Sequence, residues 1–289
     1  MSQFPPSSKI LDSSDGTKIY ADAFGDPSKP SIVFVHGQAL SGVVFDKIFT
    51  DRRYTEQFYL VRYDMRAHGR SDKPETEEGY ASKLFADDFA AVMKAFNLHK
   101  PRGVSSEATM CVDIAAHFPE NPFAGIVYLC GLPHVGPIIQ RVITPEVLSM
   151  VSGLVSEDSI ATSLSTMRTF IDLLFLNPTK IPWEFRVLLF GMTGLQRPFH
   201  RQLTLTRHQD PSRLFELGKQ GLPLLVLGGS YDRQIMNDAV AAEMRPYFRN
   251  MEVHSIEKDG SHAVFLENQE ETMDRILDFA RRVNARAKL

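Results

Sequence analysis

Gly103-Val104-Ser105-Ser106-Glu107 closes a thin strand-like run and opens a stretch with helical character, Ala108 to Phe118, that stops at Pro119. A serine on such a strand-to-helix turn projects its hydroxyl from the end of a strand. The turn is tight enough that the residues two before and two after the serine must be small. Gly103 meets this demand for Ser105 on one side, while Glu107 stands where the second small residue is expected. For Ser106 the flanks are reversed, with Val104 before and Ala108 after. Ser105 is therefore the first candidate nucleophile and Ser106 the second. Glu107 as an esterifying carboxylate has no glycine on either flank. Two serines capping an ordinary helix, with Glu107 in its first turn, would also be physically sound.

Three further stretches have the same strand-then-turn grammar. Asp232 follows Leu222-Pro223-Leu224-Leu225-Val226-Leu227 and the turn Gly228-Gly229-Ser230-Tyr231, a position from which a carboxylate can accept an imidazole proton. It could equally serve as a turn aspartate or a helix cap. His262 follows the strand-like Met251 to Ile256 and the turn Lys258-Asp259-Gly260-Ser261, placing an imidazole where it can act as a general base and then as an acid. Val35-His36-Gly37-Gln38 follows Ser31-Ile32-Val33-Phe34-Val35. The backbone N–H of Gln38, with that of Ser106, would supply the two donors that an oxyanion needs. His36 itself reads as structural.

Around these turns the chain alternates strands and helices, the pattern of a mostly parallel sheet flanked by helices. Lys9 to Leu11 and Lys18 to Ala23, separated by Asp15-Gly16, predict an opening antiparallel hairpin. Phe58 to Tyr63 and Gly125 to Cys130 read as buried strands, and Tyr80 to Phe96 as an amphipathic crossover helix. The strand before Ser105 is thin, because Lys100-Pro101 leaves only Arg102 to Val104. After the sixth strand the alternation stops. From Pro133 to Leu214 there are helical periodicities, such as Ile160, Leu164, Met167, Ile171 and Leu174, interrupted by Pro178, Pro182 and Pro198. The alternation then resumes, with helices expected at Asp238 to Tyr247 and Glu270 to Ala287. The expected organisation is an α/β core formed by 1–132 and 215–289, with a helical cap, 133–214, inserted after the sixth strand.

Composition narrows the partners. The 289 residues carry 32 Lys and Arg against 35 Asp and Glu, a formal charge of −3 that gives no reason to expect nucleic acid or an anionic membrane. No apolar run approaches the roughly 20 residues of a membrane span. Met1 to Ser14 lacks the apolar core of a signal peptide, so a cytoplasmic location is expected. Two cysteines, Cys111 and Cys130, define neither a disulfide framework nor a zinc motif. The polar run Tyr63 to Asp72 lacks helical His-x-x-x-His spacing and reads as a hydrogen-bonded turn shaping the site entrance rather than as a metal site.

Taken together, His36-Gly37, Asp64 to Ser71, Asp232 with its glycine-rich approach, and Gly260-Ser261-His262 with Phe265-Leu266-Glu267 resemble the α/β-hydrolase superfamily, and within it the capped esterase and lipase-like group. The resemblance runs from Lys18 to Arg282 and is weakest in the cap. It implies the triad Ser105, Asp232 and His262, with the Gln38 and Ser106 amides as the oxyanion hole. It also implies cleavage of a small or medium apolar carboxylic ester through an acyl-enzyme, without cofactor or metal. A lactonase, a carbon–carbon bond hydrolase or a perhydrolase would use the same triad. The aspartate nucleophile of epoxide hydrolases and haloalkane dehalogenases is missing from the turn. A ligand-binding relative, impaired by Glu107, is the alternative from another class. An apolar substrate fits the cap residues Phe170, Leu173, Leu174, Phe175, Trp183, Phe185, Leu188, Leu189 and Phe190.

Overall fold

The apolar runs at 31–35, 59–63, 125–129 and 224–229 become strands buried along their whole length, as expected where helices cover both faces of a parallel sheet. A computed structural model describes residues 4–105 and 108–286, giving the backbone alone for 102–105 and 286. The chain opens with the hairpin β1 (Ser7–Asp12) and β2 (Lys18–Phe24), followed by β3 (Ser31–Val35) and the short helices α1 (Asp46–Phe49) and α2 (Arg52–Thr55). Next come β4 (Tyr59–Tyr63), α3 (Ser82–Ala95), β5 (Arg102–Ser105), α4 (Thr109–His117) and β6 (Gly125–Leu129). Six helices follow: α5 (Ile139–Val142), α6 (Pro145–Leu154), α7 (Ile160–Asp172), α8 (Trp183–Gly194), α9 (Pro198–Thr206) and α10 (Ser212–Lys219). The chain then returns through β7 (Leu224–Gly229), α11 (Asn237–Met244), β8 (Met251–Ile256), α12 (Val264–Glu267) and α13 (Gln269–Arg286).

Among the described residues, eight strands form one sheet in the order β1-β2-β4-β3-β5-β6-β7-β8. Only the β1–β2 and β2–β4 pairings are antiparallel. Alternate residues of the inner strands feed two apolar layers. Val33, Val61, Tyr128 and Val226 meet Phe85, Phe89 and Val92 of α3 together with α4, α10 and α11. Phe34, Leu60, Val127 and Leu227 meet α1, α12 and α13. The spacing of Phe85, Phe89 and Val92 puts them on one stripe of α3. Burying each is worth about 1.5–3 kcal/mol, so the stripe fixes the helix on the sheet.

Register sets the site. Val35 pairs with Ser105, Ser105 with Tyr128, and Gly229 with Ile256. The chain therefore leaves β3, β5, β6, β7 and β8 along one edge of the sheet, where open α/β sheets bind their ligands.

The insertion after the sixth strand is helical. Thr144 and Ser159 accept backbone N–H groups at the starts of α6 and α7, with Pro145 in the first turn of α6. Leu214 and Leu217 of α10 belong to the layer that contains α3 and α4. We accordingly propose that the cap ends near Arg207 rather than at the expected Leu214, which lies inside a helix of the sheet layer. Among the described residues, no helix is long and apolar enough to cross a membrane.

Candidate active site

Asp232 and His262 meet although 30 residues separate them. His262 Nδ1 lies 3.0 Å from both carboxylate oxygens of Asp232. A carboxylate only accepts, so Nδ1 carries the proton and the neutral ring keeps its lone pair on Nε2. The Asp232 side chain is 1% exposed and His262 11%. Oδ1 of Asp232 accepts the Gln234 and Ile235 backbone N–H groups at 2.8 and 2.9 Å, and Oδ2 accepts Asn237 Nδ2 at 3.1 Å. Buried and held from three sides, the carboxylate has one orientation in which to hold the imidazole.

The glycines of both motifs explain how the loops come so close. The Tyr231 N–H donates to the Gly260 carbonyl at 2.8 Å. A Cβ on Gly229 would stand 2.2 Å from that same carbonyl oxygen, and one on Gly260 would stand 2.0 Å from the Ile256 oxygen. Beyond His262, the Ala263 N–H donates to Leu174 O, tying this loop to the cap.

His36 is fully buried, and burial, the largest influence, lowers its pKa. Its Nε2 accepts the Met65 N–H at 3.1 Å, so Nδ1 carries the proton and donates to Gly37 O at 2.9 Å. Leu40 N–H reaches the same carbonyl at 3.2 Å. Because a trans peptide directs C=O and N–H in opposite directions, gripping the Gly37 oxygen fixes where the Gln38 N–H points. The Gln38 side chain donates to Thr204 Oγ1 of α9 at 3.2 Å, joining this loop to the cap. His36 thus has the structural place expected for it.

The run Tyr63 to Asp72 is a hydrogen-bonded turn, with Asp64 accepting the Gly42 and Arg70 N–H groups. It was expected to shape the entrance, yet none of its residues lines the cavity described below. Its polar groups are spent inward: Arg66 on Asp88, and His68 on Gln196. Ser105 ends β5 between Val35 and Tyr128, at the strand end expected of a nucleophile. Ser106, the expected second oxyanion donor and alternative nucleophile, lies outside the described residues, as does Glu107.

Beside these loops lies a cavity of about 280 Å³. Gly37, Gln38 and His262 lie along its wall, which is otherwise largely apolar. Of the cap residues singled out from sequence, Phe170 and Leu174 line it, whereas Trp183 and Leu188 are exposed. The sequence reading missed Ile139 on α5, Ile143 in the extended link that bridges Ile235, and Val147 and Val151 on α6; the four-residue spacing of the last two is the signal of a helical face. It also missed Cys130, which follows β6 and lines the cavity with its sulfur within 4.8 Å of a carboxylate oxygen of Asp232 and a ring nitrogen of His262. Burial, then the Asp232 charge, push the Cys130 thiol well up.

Residues 30–269 match the family described as alpha/beta hydrolase fold. Among solved structures, the chain is similar to a "putative aryl esterase" from Burkholderia cenocepacia, with 25% identity over 96% of this chain and 100% of that one and a TM-score of 0.85. The esterase RhEst1 from a Rhodococcus species shares the fold at 22% identity, over 96% and 99% of the two chains, with a TM-score of 0.84. Among curated proteins, "Probable oxidoreductase EphD" of Mycobacterium tuberculosis is 38% identical over 94 residues, which is 32% of this chain. That match spans 16% of the length of the relative.

Proposed function

The chain belongs to the α/β-hydrolase fold family, and we propose that within it the protein is a serine hydrolase cleaving a small, apolar carboxylic ester through an acyl-enzyme. The observation that carries this reading is the buried, fully hydrogen-bonded Asp232 holding His262 Nδ1 at the wall of an apolar cavity. In this reading Ser105 Oγ attacks the ester carbonyl while His262 Nε2 takes its proton, and Asp232 stabilises the imidazolium that forms. The Gln38 and Ser106 amides hold the oxyanion. The proton then passes from Nε2 to the leaving alkoxide. A water molecule, activated by the same nitrogen, releases the acid. No cofactor takes part in these steps.

The likeness to an aryl esterase supports the ester, and the cavity supports its size. About 280 Å³ is just below the usual range for small-molecule sites, roughly 300–1,000 Å³, which favours a short or medium acyl group. A p-nitrophenyl ester series of increasing acyl length tests this. kcat/KM is expected to peak at short to medium chains and fall beyond, and Phe170→Ala, which widens the cavity, is expected to move the peak to longer ones. Absence of turnover across the series would contradict the ester reading. An optimum unmoved by Phe170→Ala would contradict the assignment of the cavity to the acyl group.

A further inference from the structure

We propose that Cys130, Asp232 and His262 form a binding site for a thiophilic divalent cation such as Zn²⁺, and that its occupation switches the histidine off as a base. The binding stands by itself, whereas the switching rests on the hydrolase reading above. One ligand atom from each residue, a sulfur, a carboxylate oxygen and an imidazole nitrogen, lies within 4.8 Å of the other two. In a tetrahedral site with metal–sulfur near 2.3 Å and metal–nitrogen or –oxygen near 2.0–2.2 Å, ligand atoms stand roughly 3.5 Å apart. Asp232 and His262 already meet at 3.0 Å, so the sulfur has to close by no more than about 1.3 Å, a small side-chain rotation.

The surroundings suit such an ion. Apart from His262, Oδ1 of Asp232 accepts two backbone N–H groups and Oδ2 only the Asn237 side chain, which makes Oδ2 the better placed oxygen. Cys130 also adopts a left-handed φ of +50°, where glycine would be less strained, so the thiol is held in the site against a backbone preference. Cys130 and His262 both line the cavity, which gives the ion a route in and a side for its fourth ligand.

Charge favours occupation. The metal-free site holds a carboxylate, a neutral imidazole and a thiol, for a net charge of −1. A dication that binds with loss of the thiol proton gives a thiolate, a carboxylate and a neutral imidazole around +2, for a net charge of zero, which is the least costly state to bury. Only one proton is released. The proton on His262 Nδ1 is replaced by the metal and moves to Nε2, so the nitrogen that must accept the serine proton no longer has a lone pair. No oxidant or reductant is involved.

The test uses the purified full chain and Co²⁺ as an optical probe, which reports binding whether or not the protein turns over esters. One equivalent is expected to give an intense near-ultraviolet thiolate-to-cobalt band that survives in Cys111→Ala and vanishes in Cys130→Ala. Should Cys130→Ala not fold, Asp232→Asn is expected to weaken cobalt binding by at least about 10–100-fold, the worth of even outer partners of a metal ligand. Zn²⁺ is expected to suppress hydrolysis reversibly, with chelator restoring the rate. Half-inhibition in Cys130→Ala, measured against its own metal-free rate, is expected to need at least about tenfold more Zn²⁺. No cobalt band in the wild type, a band retained in Cys130→Ala, or equal Zn²⁺ sensitivity in the two proteins would overturn the proposal. A cobalt band in a protein that cleaves no ester would overturn the hydrolase reading and leave the metal site standing.

Discussion

A methyl group on Gly260 has nowhere to go: it would meet the Ile256 carbonyl oxygen at 2.0 Å and the Gly229 Cα at 2.9 Å, all backbone. No rotamer relieves such a contact, so Gly260→Ala must push the loops of Asp232 and His262 apart. A misplacement of about 1 Å costs on the order of 10² in rate, and kcat/KM for a good ester substrate is expected to fall by at least that much with the far-ultraviolet spectrum unchanged. A variant with wild-type kinetics would show that the loop contact does not position the histidine. Asp64 makes a different prediction. Burial alone would raise its carboxyl, but the Arg70 hydrogen bonds and charge outweigh it and hold the carboxyl below the ordinary carboxylate range. A depressed folded-state pKa adds stability that is present above the unfolded pKa and lost as pH falls through the folded value. Asp64→Asn is therefore expected to cost about 1.5–3 kcal/mol near pH 7, the worth of a hydrogen bond to a charged group, since Asp64 is buried while Arg70 is 39% exposed and can turn to water, and the gap should narrow in urea unfolding as pH falls below the ordinary carboxylate range. A gap independent of pH would mean that the charge of Asp64 is not what stabilises. The residues that were legible in the sequence were those announced by turn glycines after apolar runs, Asp232 and His262 above all. Cys130 follows a strand and belongs to no motif, despite Gly131 and Pro133 just after it, so only its tertiary proximity to Asp232 and His262 reveals it.

Arg201 on α9 ties the other long cap helices together. Its guanidinium donates to Leu154 O at the end of α6, to Thr193 O and Gln196 O at the end of α8, and to Ser163 Oγ on α7. Helix ends leave unpaired carbonyls, and here one buried side chain satisfies those of two helices. Burial lowers the Arg201 pKa to about 10, still well above neutrality, so the group stays charged while it binds dipoles rather than a carboxylate. Arg201→Met strands these oxygens at about 1–3 kcal/mol each. Hydrogen exchange is expected to accelerate across α6 to α9 while β3 to β7 keep their protection; equal loosening of cap and sheet would contradict a local role. Strands and crossover helices were readable to within a few residues, because alternation and helical stripes are local signals. The cavity wall from α5 and α6 was less readable. The same apolar spacing serves equally to pack a helix on its neighbours, and only the assembled cap shows which face is left toward the site.

Across the whole molecule, the cap and sheet share apolar contacts rather than simply touching. Ile171, Leu174, Phe175, Leu189 and Met192 belong to the same buried layer as α1, α12 and α13. Arg207, where we propose the cap ends, is pinned to Asp113 of α4 at 2.9 Å. The sequence made legible the order of the strands, and with it the run of helices between β6 and β7. It could not show where the cap joins the sheet, because that joint is made by the shared apolar layer, by the buried Arg207–Asp113 pair and by Gln38 reaching Thr204 across 166 residues. What unites these levels is the claim that Ser105 is an activated nucleophile whose base is His262. Its most direct test is labelling with a fluorophosphonate, read by intact mass and peptide mapping. One adduct per chain is expected, on Ser105, abolished in Ser105→Ala and slowed on the order of 10³-fold or more in His262→Ala. No adduct, an adduct on Ser106, or labelling of His262→Ala at the wild-type rate would contradict it.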